Sequence, residues 1–146
     1  MKYNLIPLLF IPFLQTSRIH ISDGDTIRLD NQRIRLACID APESDQPFGS
    51  QSTQRLSQIV GNGSNLQVRT VDRDRYGRTI AKLYVGDLYV QEQLVRDGLA
   101  WVYTQCLNRC PTTAGSLLRA QEEAQVYRRG VWSSDESIAP WQWRQR

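Results

Sequence analysis

The chain has 146 residues, with 18 lysines and arginines against 15 aspartates and glutamates, for a net charge of +3 at pH 7. That length fits one domain with a core large enough to fold without cross-links or metals, and no internal repeat or low-complexity linker divides it. The mild basic excess suits a polyanionic partner but does not by itself demand one. From the N-terminus, Lys2 precedes the run Leu5 to Leu14, eight apolar residues interrupted by Pro7 and Pro12. Ten residues are too few to span a bilayer as a helix. The run suits the apolar region of a secretory signal peptide, or a short anchor, over residues 1–16. The two prolines leave an N-terminal arm as the other reading, and Leu14-Gln15-Thr16-Ser17 offers no clear small-x-small cleavage site. Export implies a secreted or periplasmic protein with no stable membrane partner once the leader is gone.

Beyond residue 16 the elements alternate. Ile19 to Ile21 reads as a strand, Asp23-Gly24 as a turn and Thr26 to Asp30 as a returning strand. After a turn at Asn31-Gln32, Arg33 to Ile39 alternates again, with Ile34, Leu36 and Cys38 on one face. Pro42 ends that strand and puts Glu43 in a loop. Phe48 to Val60 reads as a helix stopped by Gly61-Asn62-Gly63. Leu66 to Val71 and Thr79 to Val85 form strands joined by a hairpin at Tyr76-Gly77. Val90 to Asp97 is a short helix closed by Gly98, Leu99 to Tyr103 is extended, and a helix capped by Thr112 or Thr113 runs to about Arg129. Five strands with interposed helices predict a β-barrel with helices (α+β): a five-stranded OB-fold barrel plus about three helices over residues 17–133. Residues 134–146 form a C-terminal tail.

The chemistry concentrates between Asp23 and Glu43. Asp23, Asp25, Asp40 and Glu43 surround one arginine, Arg35, within 21 residues. Carboxylate oxygens hold a hard divalent cation, a further carboxylate deprotonates water, and an arginine fork fits phosphate. Together these are the parts needed to hydrolyse a phosphodiester. Asp-Gly-Asp is equally an ordinary turn. The second segment, Asp72-Arg73-Asp74-Arg75-Tyr76-Gly77-Arg78, favours the functional reading because it sets several arginines around a tyrosine on a hairpin. The pair Arg128-Arg129 reads as a solvated helix end.

Three cysteines remain. Cys106 and Cys110 lie four apart in a loop-like stretch and form a local disulfide if their Cα atoms come within about 7 Å; the alternative is two reduced surface thiols. Cys38 shares the parity of Ile34 and Leu36 and reads as a buried core thiol. With His20 the only histidine, a zinc site is not expected.

In this order, Asp23-Gly24-Asp25-Thr26, Ile34 to Glu43, Asp74-Arg75-Tyr76-Gly77-Arg78 and Leu94 to Ala100 resemble the staphylococcal nuclease (thermonuclease) family. The resemblance extends from about Ile19 to Trp132. It implies an OB-fold and a calcium-dependent nuclease that acts on DNA and RNA and leaves 3′-phosphate ends. By the same resemblance Asp25, Asp40 and the carbonyl of Ala41 would hold calcium. The family often has Thr where Ala41 stands, but a main-chain ligand tolerates either. Arg35, Glu43 and Arg78 would be catalytic, with Glu43 on the attacking water and the arginines on the phosphate. Arg75, Tyr76 and Trp101 would touch substrate, the two aromatics by stacking; from the sequence alone both aromatics read equally as packing residues. The protein is expected to act as a monomer. The alternative is a non-catalytic OB-fold module that binds nucleic acid; a degenerate copy would lose members of the set Asp25, Arg35, Asp40, Glu43 and Arg78, and all five are present. Pro140-Trp141-Gln142-Trp143-Arg144 lies outside the resemblance and reads as a strap packed on the barrel, or as a stacking platform.

Overall fold

A computed structural model describes residues 17–146. The expected leader lies outside the described residues. Strands β1 (Ile19–Asp23) and β2 (Thr26–Leu29) pair antiparallel across the Asp23-Gly24-Asp25 turn, with Ile21 opposite Ile27. Strand β3 (Gln32–Leu36) returns beside β2, with Ile34 opposite Ile27 and Arg35 opposite Thr26. Alternation does the sorting: Ile27, Ile34 and Leu36 are buried, whereas Arg28 and Arg33 face water.

The strand predicted to run unbroken from Arg33 to Ile39 is broken at Ala37-Cys38. Cys38 has a φ of 69°, in the left-handed region, and the chain turns a corner there. Leu36 N–H donates to the Asp25 carbonyl at 2.8 Å and Ala37 N–H to the Ala81 carbonyl at 2.8 Å, so both sides of the corner are tied down. The short strand β4 (Ile39–Asp40) then leaves the main sheet.

Helix α1 (Gly49–Val60) buries Gly49, Ser52, Leu56 and Val60, one stripe at helical spacing. Two glycines make close approaches here. A Cβ on Gly49 would lie 2.0 Å from the Glu43 carbonyl oxygen, and one on Gly24 would lie 1.9 Å from Ser52 Oγ. Both positions must lack a side chain, which seats the start of α1 directly beneath the Asp25 turn and the Glu43 loop.

Strands β5 (Leu66–Arg73) and β6 (Thr79–Val85) form the long hairpin, β7 (Leu88–Tyr89) adds to β6, and β6 runs parallel to β3. Helix α2 (Val90–Arg96) locks onto β6 through Gln91, which is fully buried. Its Oε1 accepts from Leu83 N–H at 3.1 Å and its Nε2 donates to the Ala81 carbonyl at 2.9 Å. Buried and satisfied at both ends, that amide fixes the helix register. Strand β8 (Trp101–Val102) pairs with β4, setting Asp40 opposite Trp101. A 3₁₀ segment, Thr104–Arg109, precedes helix α3 (Ala114–Val126). A short helix α4 (Pro140–Trp143) closes the chain.

The expected mixture of helices and strands is present, with four α-helices among the described residues. The main sheet runs β1-β2-β3-β6-β5, with β7 on β6. Among the described residues no pairing joins β1 to β5, and the closed five-stranded barrel that was expected is not found. No helix of the described residues is long and apolar enough to cross a membrane.

The disulfide expectation is corrected. Cys38 bonds to Cys110, with Cα atoms 6.5 Å apart, and Cys106 is free. The intervening 3₁₀ segment explains why. At three residues per turn, positions 106 and 110 point in different directions. Cys110 is wholly buried beneath the corner at Cys38, while Cys106 faces a cavity. Closing 72 residues rather than four raises the stabilisation expected from chain entropy to about 4 kcal/mol.

Candidate active site

One cavity of about 470 Å³ opens where β2, β3, β4 and the β5–β6 hairpin meet. Asp25, Asp40, Ala41, Glu43, Arg35 and Arg78 all line it, together with Asp23 and the later residues Tyr103, Arg109 and Arg144.

Asp25 is the most constrained of these. The Asp23-Gly24 turn delivers it, with its own N–H donating to Asp23 Oδ1 at 3.1 Å. Its carboxylate accepts from Ala41 N–H at 2.7 Å and from the Thr26 hydroxyl at 3.1 Å. Burial alone would raise its pKa. The Arg35 guanidinium and the hydrogen bonds from Asp23, Ala41 and Thr26 outweigh that, and hold Asp25 below the usual carboxylate range. Asp23 is pushed up to about 7, by burial first and then by the charge of Asp25 beside it. Asp40, held by the β4–β8 pair, is also raised: burial outweighs the lowering effect of Arg144 and Arg35.

Arg35 does not point free into the cavity. Its Nη1 lies 3.1 Å from Asp25 Oδ2 and its Nη2 lies 3.2 Å from Asp40 Oδ1, so it staples the Asp25 turn to β4. Arg78 hangs from the hairpin, where Asp74 orients it: Asp74 accepts from Arg78 Nε at 2.6 Å and from the Tyr76 and Arg78 backbone N–H groups at 2.9 Å each. Burial tends to raise Asp74, but its bonds to Arg78 and Tyr76 leave it lowered.

Of the expected substrate contacts, Tyr76 is 70% exposed and Arg75 stacks over its ring at 5.0 Å. Tyr76 lies outside the carboxylate cavity, in an adjoining groove shared with Arg33, Arg73 and Arg78. Trp101 is corrected to a packing residue. It is 6% exposed and meets Trp132 edge-on at 5.5 Å, with Val131 and Ala139 around it. The aromatic that reaches the cavity is Tyr103, two residues on, with its ring stacked on Trp141 at 5.3 Å.

The residue most completely missed is Arg144. Its Nη2 donates to Asp40 Oδ2 at 2.8 Å, and its Nη1 reaches Asp40 Oδ1 at 3.2 Å and Glu43 Oε1 at 2.6 Å. A separation of 101 residues from Glu43 carries no spacing signal. The tryptophan-bearing tail before it was the only hint.

The donor set, all oxygen from carboxylates and the Ala41 carbonyl, fits a hard divalent cation. The cavity lining fits it too, since Asp23, Asp25, Asp40, Glu43 and Asp74 face only Arg35, Arg78, Arg109 and Arg144 there. Among the described residues no three of His, Cys, Asp or Glu already stand as a ligand shell; Arg35 and Arg144 stand between the carboxylates.

The staphylococcal nuclease homologue model matches residues 33–134, more than half of the chain. The chain belongs to the staphylococcal nuclease family. The domain of that family is an OB-fold. The chain is 40% identical over 133 residues to a protein of Escherichia coli O157:H7 named an uncharacterized endonuclease, covering 88% of this chain and 83% of that one. It is 37% identical over 139 residues to a micrococcal nuclease of Shigella flexneri, covering 86% and 78%. A rice protein, "Probable staphylococcal-like nuclease CAN1", is 37% identical over 121 residues; the match covers 83% of this chain but about a third of that longer protein, 35%. These likenesses support a hydrolase of the nuclease kind.

Proposed function

We propose that this member of the staphylococcal nuclease family is a calcium-dependent, sugar-nonspecific nuclease that cleaves DNA and RNA to 3′-phosphate ends. The observation that carries the proposal is convergence. Asp25, Arg35, Asp40, Glu43 and Arg78 come from separate segments and line one cavity.

Asp25, Asp40 and the Ala41 carbonyl are the oxygens that would hold calcium. Bound there, the ion would neutralise charge on the scissile phosphate and favour attack by water. Glu43, at the wall and partly exposed, takes the proton as the water oxygen bonds to phosphorus. The bond from phosphorus to the 5′-oxygen breaks, that oxygen leaves as a hydroxyl by taking a proton from solvent water, Glu43 returns its proton to solvent, and phosphate remains on the 3′ side. Arg78, oriented by Asp74, meets the charge growing on the phosphate oxygens. Arg35 fixes the spacing of Asp25 and Asp40 and adds its positive charge at the same wall. The neighbouring groove, with Arg33, Arg73 and exposed Tyr76, would take the flanking strand by phosphate contact and stacking. The Cys38–Cys110 bond supports a secreted or periplasmic location, because disulfides persist in oxidising compartments.

The test is digestion of plasmid DNA and of RNA with calcium, with magnesium and with chelator, beside Glu43→Gln. Cleavage of both substrates in calcium alone is expected, with product 3′-phosphates. Glu43→Gln should lower the rate by about 10²–10⁴-fold. Binding of nucleic acid without cleavage in any metal would leave the chain a binding module.

A further inference from the structure

The C-terminal tail does more than cover the fold. Gln46 Nε2 donates to the Ile138 carbonyl at 2.7 Å, Pro140 is buried, Trp141 stacks on Tyr103, and Trp143 Nε1 donates to Asp45 Oδ1 at 3.1 Å. None of these contacts involves Arg144. They hold α4 against the cavity mouth and deliver Arg144 to the carboxylate wall.

What Arg144 does there conflicts with the roles of its partners. It takes both oxygens of Asp40 and one of Glu43. A carboxylate clamped by a two-point guanidinium fork is shielded from a cation by like-charge repulsion. A carboxylate that already accepts a charged hydrogen bond is a weaker base for water. Arg144 is 45% exposed at its side chain. Asp40 beneath it is 1% exposed, so that carboxylate keeps a cation partner, while the half-exposed guanidinium has water to move into when another cation takes its place.

We propose that Arg144 is the tethered counter-charge of the cation site: it occupies Asp40 and Glu43 when no divalent cation is bound, and yields both when one arrives. The proposal rests on the reading of Asp40 as a cation ligand and Glu43 as the base. Being covalently attached, Arg144 competes at a fixed effective concentration that added salt dilutes only by screening. The tail is thus a threshold on cation uptake. Arg146 is the natural control, because it carries the same charge two residues on but lies over the Trp143 ring at 4.8 Å.

The experiment is calcium titration by calorimetry on the full chain, without nucleic acid, for the unaltered protein, Arg144→Gln and Arg146→Gln. Removing a half-exposed, two-point ion pair should tighten calcium binding about three- to tenfold in Arg144→Gln. Arg146→Gln should bind as the unaltered chain does. In the unaltered chain, saturation with calcium should also shift the Arg144 guanidinium signals in nitrogen-resolved NMR, a readout that needs no variant. Equal or weaker calcium binding by Arg144→Gln, or the same gain in Arg146→Gln, overturns the proposal, as does an Arg144 signal that calcium leaves unmoved. Failure of all three proteins to take up calcium overturns the cation assignment itself, and the counter-charge role with it.

Discussion

Arg35 and Arg78 line the same cavity in opposite circumstances. Arg35 is enclosed between two buried carboxylates, each of which has further partners, so its position is determined several times over. Arg78 sits on a hairpin beside 70%-exposed Tyr76 and depends on one acid, Asp74. The contrast shows that two similar guanidiniums can be set by different physics. One is part of the folded wall, where desolvation makes every pairing matter. The other is a surface group aimed by a turn, free to follow a flexible substrate.

Substitutions can break or sharpen this contrast. Arg35→Ala should have the largest effect. It leaves Asp25 and Asp40 facing each other without their shared cation, and losing one partner of a buried pair typically costs about 3–5 kcal/mol. Chemical denaturation should reveal that loss apart from any loss of cleavage; a variant as stable as the parent would show that the wall does not depend on Arg35. Next comes the bond behind that wall. Cys38→Ala with Cys110→Ala should lower unfolding free energy by about 4 kcal/mol, less whatever order the unfolded chain retains. A midpoint unmoved between reduced and oxidised protein would contradict it. Arg78→Ala should leave the melting temperature in place yet slow single-turnover cleavage about 10²–10³-fold, or roughly 2.7–4 kcal/mol in the barrier. Substantial unfolding of Arg78→Ala would erase the distinction between the two arginines. Tyr76→Ala should be the mildest. It should weaken single-strand binding by about 1–3 kcal/mol, the usual worth of one stacked base, without altering stability or the chemical step. Unchanged affinity would remove the groove from the substrate path.

Much of this was legible in the sequence because it is local. The Asp23-Gly24-Asp25 turn, the β5–β6 hairpin and the helix that ends at Val60 before Gly61 follow from short-range periodicity and turn chemistry. The corner at Cys38 was not legible, because alternation continues through it; only the tertiary ties of Leu36 and Ala37 show where the strand must turn. The disulfide was misread for a related reason, since nearness in sequence suggested Cys106 and three-residue helical geometry sends it elsewhere. Trp101 and Tyr103 share strand parity, so periodicity does not say which one reaches the cavity. That depended on Trp132 and Ala139 enclosing one and Trp141 meeting the other. Arg144 had no local signature at all.

The Cys38–Cys110 bond also sets an order of events. It fastens the segment that carries Tyr103 and Arg109 to the corner from which β4 presents Asp40. A newly made chain in a reducing compartment lacks that fastening and acquires it only in oxidising surroundings. The final closing of the cavity wall therefore depends on redox conditions as well as on sequence. If the chain is exported, as proposed, a nuclease of this family would be completed only after leaving the compartment that made it.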